Sequence, residues 1–394
     1  MSNSTATRRF ESESLLADAR GASDGLSDFG DPSFREGLNQ LCVALDSEAQ
    51  LSDMGAAIMR QKLVTQLTNR LRIEDYFTRH PEIAKEIVDA PVVIVGLPRT
   101  GTTKLHRLLS RDPRFYWMTF WESQFPVPFP NETLQAPDAR IHEGRALCDM
   151  MTTAMPKLVA MHPMVADEAD EEVMLTEHSF MSAFNAYANI PGYMRWLDAQ
   201  DQTPVYQYLR RGLQFLQWQK RQRGVTAGRW VLKAPHHLLR MHLLLKVFPG
   251  AQVILTHRDP LQSIPSIASF IHTLWSIYSE RASEKAAGAE WSELMQRALD
   301  HTEKTRQSAP SQFFDVQFRD TVKKPMDVVQ DIYRWLGMDL PAAAEQAMRQ
   351  WLQEDEKSHQ GGHDYTLEQF GLSDAQIRRD FAAYRSKHIE APAA

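Results

Sequence analysis

The chain has 394 residues, with 44 Lys+Arg against 50 Asp+Glu and a formal charge of −6. That balance argues against a generally basic nucleic-acid-binding surface, and the length allows two or three folding units or one large α/β unit. Two cysteines, Cys42 and Cys148, are too few for a disulfide framework, and no CxxC or Cys/His cluster points to zinc. Met1 to Gly21 carries no apolar signal-peptide core, and no stretch approaches 18 uninterrupted apolar residues. The expectation is a cytoplasmic chain without a membrane span.

Residues 1–35 hold seven serines with scattered Gly and Asp, which predicts a flexible N-terminal arm. Residues 36–90 turn helical, with Leu63, Leu67 and Leu71 at i, i+4 and i+8. Val92-Val93-Ile94-Val95, ending at Gly96, has the uniform apolarity of a strand buried on both faces. A helix follows over Thr102–Ser110, with Leu105, Leu108 and Leu109 on one face, and Asp112-Pro113 stops it.

Residues 113–228 read as a helical lobe inserted in the α/β core. Aromatic residues from Phe115 through Trp121 to Phe129 crowd its start. Eight of the 17 methionines lie between Met150 and Met194, where an even spread would give about two. Such residues pack a core, or they line an adaptable apolar pocket. Thr203-Pro204 opens a helix running to Gly224.

Further strands are predicted at Arg229–Leu232, Gln252–Thr256 and Phe313–Phe318, with a helix over about His237–Val247 between the first two. That βαβ unit favours parallel strands with a right-handed crossover. The fold class is α/β: a parallel sheet flanked by helices, with extra helical segments at the N-terminus and mid-chain. Residues 36–394 are expected to form a single domain.

The loop Gly96-Leu97-Pro98-Arg99-Thr100-Gly101-Thr102-Thr103 joins the first strand to its helix. Backbone N–H groups and the helix dipole converge there, which makes an anion site. The Gly96-x4-Gly101 spacing matches a Walker A loop, but Thr102 stands where that loop has lysine, and the cation is Arg99 instead. The loop thus suits a 5′-phosphate carrying one transferable group, without a metal. Its plain alternative is a tight turn with no ligand.

This loop resembles the 5′-phosphosulfate loop of sulfotransferases that use 3′-phosphoadenosine 5′-phosphosulfate (PAPS), in the Pro-Arg form of the bacterial and membrane-associated branches. The resemblance implies a P-loop-kinase-like fold, with Arg99, Thr100, Gly101, Thr102 and Thr103 on the phosphosulfate. It also implies that Arg258, just after the strand Gln252–Thr256, and Ser266, eight residues on, bind the 3′-phosphate. Arginine suits phosphate because its fork donates two parallel hydrogen bonds.

Phe313–Trp335, leading into Leu336-Gly337, is similar to the family's late strand and helix, so the resemblance spans roughly residues 90–340. Two departures stand out. Lys104 occupies the place where many cytosolic members carry the tryptophan that stacks on adenine. The family's basic, glycine-bearing C-terminal closure has its nearest counterpart in Lys357–Gly362, His363, Tyr365 and Phe370.

Sulfuryl transfer needs cations near the sulfate and a base for the acceptor's proton. Arg99 is one cation, and Lys233, ending its strand, is the second. Lys233-Ala234-Pro235-His236-His237-Leu238 resembles the family's Lys-Thr-His-Leu segment, with a short insertion. That resemblance implies His237 as the base, with His236 and Glu168 as alternatives.

Glu168 lies in the run Asp167-Glu168-Ala169-Asp170-Glu171-Glu172, whose acids would also suit the first turn of a helix. Glu168 and Trp121 are the expected acceptor-side residues. The expected activity is transfer from PAPS to a hydroxyl of a small apolar acceptor (a phenol, sterol-like or lipid-like alcohol), in a protein that the resemblance allows to be a homodimer. The rivals are a P-loop kinase and a non-catalytic nucleotide-binding protein of the same fold.

Overall fold

The apolar runs become five strands in the computed structural model, which describes residues 9–130, 134, 138–358 and 365–390. They are β1 (Val92–Gly96), β2 (Phe115–Tyr116), β3 (Arg229–Lys233), β4 (Gln252–His257) and β5 (Phe313–Gln317). Every pairing is parallel and the spatial order is β2-β3-β1-β4-β5. β1 has no exposed residue, as its uniform apolarity required.

The register sets Ile94 beside Lys233 and Gly96 beside Thr256. The C-terminal ends of β3, β1 and β4 therefore share the sheet edge where ligands of parallel α/β sheets sit. Val92 and Ile94 pack with Leu105, Leu108 and Leu109 of the helix Thr102–Leu109, and with Val329, Ile332 and Tyr333 of the helix Pro325–Trp335. Each fully buried side chain of this size contributes roughly 1.5–3 kcal/mol.

Pro235 opens a short 3-10 helix, Pro235–Arg240, and the α-helix proper runs only over Met241–Val247. The helix predicted from His237 thus begins with a tighter turn, which the fixed φ of proline favours.

The described structure comprises two compact units, each built from several stretches of the chain. One comprises the chain up to Lys85 with Val173–Phe215 and Ile271–Ser283; the other comprises Glu86–Glu172, Leu216–Phe270 and the chain from Glu284 on. The lobe expected over 113–228 is therefore divided. In the first unit Phe180 lies 6.0 Å from Phe34, and Phe184 stacks on Phe180 at 6.3 Å. These three aromatics belong to the core of that unit.

The expected flexible arm over residues 1–35 is corrected for its described part. Ser12–Gly21 is a helix whose Leu15, Leu16 and Ala19 are fully buried, and Phe10 and Phe29 are buried beside it. Its apolar positions are few and flanked by serines, so composition alone hides one short helix with a narrow buried stripe. Arg60 fixes it from the helix Asp53–Arg79, donating to Asp18 at 2.5 Å and to Ser14 at 3.0 Å.

Both cysteines are buried free thiols, and burial pushes Cys42 up to about 12. Among the described residues, no helix is long and apolar enough to cross a membrane.

Candidate active site

The glycine loop departs from ordinary backbone twice in succession. Arg99 has φ +71° and Gly101 φ +84°, the latter at the N-cap of Thr102–Leu109. A Cβ on Gly96 would come 2.0 Å from the Thr256 hydroxyl, and one on Gly101 would come 2.7 Å from that of Thr321. Only glycine fits at either place. Thr102 and Thr103 form the helix's first turn, where backbone N–H groups have no partner within the helix.

Thr100 is fully buried, and its hydroxyl lies 2.6 Å from both the Leu97 carbonyl and the Thr256 hydroxyl. It ties the loop to β4 instead of facing a ligand with its side chain, a correction to its expected role. The reason is the strand register, which sets Thr256 directly beneath the loop.

Arg258 follows β4 and donates from Nη1 to the Arg99 carbonyl at 2.7 Å, its guanidinium 4.3 Å over the Phe318 ring. Burial and the neighbouring Arg99 charge lower its proton affinity. Two guanidinium groups thus share one loop and, among the described residues, their hydrogen bonds go to neutral acceptors: Arg99 donates to the Met161 carbonyl, and Arg258 also donates to Gln262. Ser266 is buried on the helix Pro260–Tyr278. The Tyr365 hydroxyl lies beside Ser266 and Ser269, within reach of the Arg99 charge.

Of the expected C-terminal closure, residues 359–364 lie outside the described residues. Phe370 instead packs on the helix Glu284–Ser308, its carbonyl 2.3 Å from where a Gly288 Cβ would stand.

Lys233 ends β3 with its side chain almost wholly buried, and its Nζ donates to Glu171 at 2.5 Å. Glu172, buried beside it, accepts from the Lys233 backbone N–H at 2.9 Å, and its other oxygen lies 2.6 Å from Nε2 of His237. Burial opposes the charge on Glu172, yet the hydrogen bonds from His237 and the backbone hold its carboxyl below the usual range. The His236 ring lies tilted against His237, centroids 4.1 Å apart; both its ring nitrogens are buried without a hydrogen-bond partner, and burial keeps it neutral.

His106, lowered to about 4 by burial and by Lys233, and His162, lowered chiefly by burial, complete the ionisable cluster.

Two expected acceptor-side residues are corrected. Glu168 is held by Arg111 and by the Trp351 indole N–H at 3.2 Å, so its oxygens are committed to neighbouring side chains. Trp121 is buried beneath the guanidinium groups of Arg140 and Arg223, 4.9 and 5.5 Å from its ring, and its Cβ meets Gly144.

The acidic run does reach β3, but through Glu171 and Glu172. It precedes the helix Val173–Glu177 rather than forming its first turn. The local sequence singles out none of these acids. The choice is made by pairing with a distant segment, where Phe120 N–H donates to the Glu168 carbonyl and Asp170 N–H to that of Met118.

Behind Arg258, His257 lies 2.8 Å from Asp315 and 3.0 Å from the Tyr384 hydroxyl, and it stacks on His388 at 4.1 Å. Asp315 is also clasped by both Arg306 Nη atoms. The ligand atoms of His257, Asp315 and His388 lie within 4.8 Å of one another, but these bonds already satisfy them as a network that fixes the end of β4.

Glu303 anchors His388 at 2.6 Å and also binds Lys387. Burial works against its charge, but these partners lower it to about 2. A depressed acid stabilises above its unfolded value and loses that contribution as pH falls through the folded one. Glu303→Gln is therefore expected to cost about 1–2 kcal/mol at pH 7, after allowance for solvent screening, and nothing near pH 2. Urea unfolding of both proteins between pH 7 and pH 2 checks this; a constant difference would remove Glu303 from the acid response.

Residues 91–342, more than half of the chain, match the family model described as "Sulfotransferase family". The sequence is 27% identical over 301 residues to the omega-hydroxy-beta-dihydromenaquinone-9 sulfotransferase Stf3 of Mycobacterium bovis and Mycobacterium tuberculosis, covering 73% of each chain. Among solved structures, sulfotransferase STF1 from Mycobacterium tuberculosis H37Rv aligns with a TM-score of 0.81 and 31% identity, over 94% of this chain and 98% of that one. Sulfotransferase STF9 from Mycobacterium avium aligns with a TM-score of 0.86 and 26% identity, over 98% of both chains.

Proposed function

The chain belongs to the sulfotransferase family, and from that premise we propose that it moves a sulfuryl group from PAPS to the hydroxyl of a lipid-like alcohol. The observation that carries the donor assignment is the meeting of Arg99 and Arg258 at the glycine loop, with Lys233 ending the adjacent strand. Two cations at a helix N-terminus suit a phosphosulfate and a second phosphate. The loop retains the glycines that permit close backbone approach and lacks the lysine a nucleoside triphosphate requires.

Bound PAPS would supply an activated sulfate with a nucleotide leaving group. Loop amides and Arg99 hold the 5′-phosphosulfate, while Arg258 and Ser266 hold the 3′-phosphate. Lys233, on leaving Glu171, neutralises charge on the oxygen bridging sulfur to the 5′-phosphate. His237 takes the acceptor hydroxyl's proton as its oxygen bonds to sulfur and the bridging S–O bond breaks, giving the sulfate ester and the bisphosphate PAP. His237 is out of solvent in the structure, so acceptor entry requires rearrangement of the residues over its ring.

The lipid-like acceptor is favoured by Leu147, Met151 and Met164, half-buried around Phe120, Cys148 and Ala166, and by the acceptor named for the relative Stf3. Adaptable thioethers suit a long apolar ligand.

Calorimetric titration with PAP, beside ATP with and without Mg²⁺, tests the donor assignment. PAP is expected to bind far more tightly than ATP, independently of magnesium. Arg258→Ala should weaken PAP by about 1.5–3 kcal/mol. Preference for Mg-ATP would overturn the assignment in favour of a kinase. PAP binding without transfer to any long-chain alcohol would leave a nucleotide-binding protein.

A further inference from the structure

The geometry points to Glu172 as the positioning residue that fixes the tautomer of His237 and so makes it the base; this rests on the assignment of His237 proposed above. The carboxylate is shared between two structural elements. Its Oε2 accepts from the backbone N–H of Lys233 at 2.9 Å, and its Oε1 lies 2.6 Å from Nε2 of His237. One side chain therefore sets the end of β3, which carries the cation, and the ring of the base four residues later.

Neither group of the pair can exchange its partner for water. His237 is 0% exposed and Glu172 1%. A buried carboxylate without a proton accepts only, so the 2.6 Å contact places the imidazole proton on Nε2 and the lone pair on Nδ1. When the ring takes a second proton, the same carboxylate stabilises the imidazolium, as the acid of a hydrolase triad does for its histidine.

Among the described residues, the titratable and charged groups around the pair include Lys233 from β3, Asp170, Glu171 and His162 from the segment before Val173, His106 and Arg107 from Thr102–Leu109, and His236 and Arg240 from the 3-10 helix. The uncharged His236 offers no counter-charge, and the Glu171 carboxylate is bound to Lys233. Glu172 is in hydrogen-bond contact with the ring at 2.6 Å. The residue came to notice in the sequence only as one member of an acidic run.

The test replaces Glu172 in the full chain by Gln and by Asp, with His237→Ala as companion. A Gln amide turned toward Nε2 donates its N–H there and forces the proton to Nδ1, the unproductive tautomer. Glu172→Gln is expected to lower kcat at least 100-fold with the KM for PAPS within about threefold. It should also move the acidic limb of the pH–rate profile to lower pH, because the imidazolium has lost its counter-charge. Glu172→Asp keeps the charge and is expected to recover part of kcat.

Nitrogen-15 NMR of histidine-labelled protein, assigned with His237→Ala, reads the tautomer independently of activity. Wild type should show Nε2–H at His237, and this spectrum decides even where the Gln variant does not fold. An Nδ1–H tautomer in wild type overturns the proposal. So does a Glu172→Gln enzyme with kcat within threefold of wild type, or one with an unmoved acidic limb. If His237→Ala retains turnover, the base assignment itself fails. Loss of turnover in His237→Ala with unimpaired Glu172→Gln removes Glu172 alone.

Discussion

Replacing His237 by Ala is expected to lower turnover by about 10²–10⁴-fold, the usual span for a positioned general base. PAP affinity should change little, because Arg99 and Arg258 are positioned by the Met161 carbonyl, the Gln262 side chain and the loop backbone. The neighbouring histidine cannot easily substitute. His236 lies 4.1 Å away, but its two nitrogens are buried without a partner and its charged form is strongly disfavoured. A ring that resists protonation is a poor acceptor of the proton that sulfuryl transfer releases.

Stopped assays with PAPS and a long-chain alcohol, paired with PAP titration of the same preparation, separate chemistry from donor binding. Tenfold or smaller loss of turnover would move the base to another group. Glu171 would then come first, since it is the partly exposed acid beside Lys233. Lost turnover together with lost PAP affinity would mean instead that the buried His237–Glu172 pair holds the sheet edge in shape.

The parts of the site that could be read from the chain are those built by consecutive residues. The run ending at Gly96, the loop to Thr103 and the step from β4 to Arg258 each combine a strand's apolarity with its own terminal loop. Their mutual position then follows from parallel pairing. The two-residue strand β2 is too short to carry a pattern, and it forms only because Phe115 and Tyr116 find β3.

Acids and aromatics of the middle segment take their positions from distant partners. Glu168 and Glu172 are four residues apart in one run, yet one binds Arg111 and the other His237. Nothing local separates them. The sequence around Trp121 is equally compatible with an acceptor face, while the chain supplies Arg140 and Arg223 from distant positions to cover it. Such partners are set by tertiary contacts that no window of sequence contains.

Arg70→Ala is expected to destabilise the protein by about 3–5 kcal/mol, the scale for stripping the partner from buried polar groups. Arg70 lies inside the helix Asp53–Arg79, where its charge reads as a solvent position, yet it is only 2% exposed. Its guanidinium donates to the Phe29 carbonyl from Nε and Nη2, to Asp31 from Nη2 and to His178 from Nη1, at 2.9–3.1 Å. The group is held between the Phe34 and Tyr208 rings at 4.3 and 4.2 Å.

Arg70 is thus what orders the stretch from Phe29 to Phe34, and it does so by satisfying backbone carbonyls. A domain's whole stability is only about 5–15 kcal/mol, so this one side chain carries a large share. Alanine leaves the Phe29 and His178 carbonyls buried without this donor, frees the part-buried Asp31 carbonyl, and opens a void between two rings. Lysine restores charge but cannot span Phe29, Asp31 and His178 with one ammonium, and it is expected to recover less than half of the loss. Denaturant unfolding gives the magnitude, and hydrogen exchange over residues 12–34 gives the location. Full protection of that segment in Arg70→Ala would mean that burial of Leu15, Leu16 and Phe29 suffices to order it, and that the arginine serves only to neutralise its surroundings.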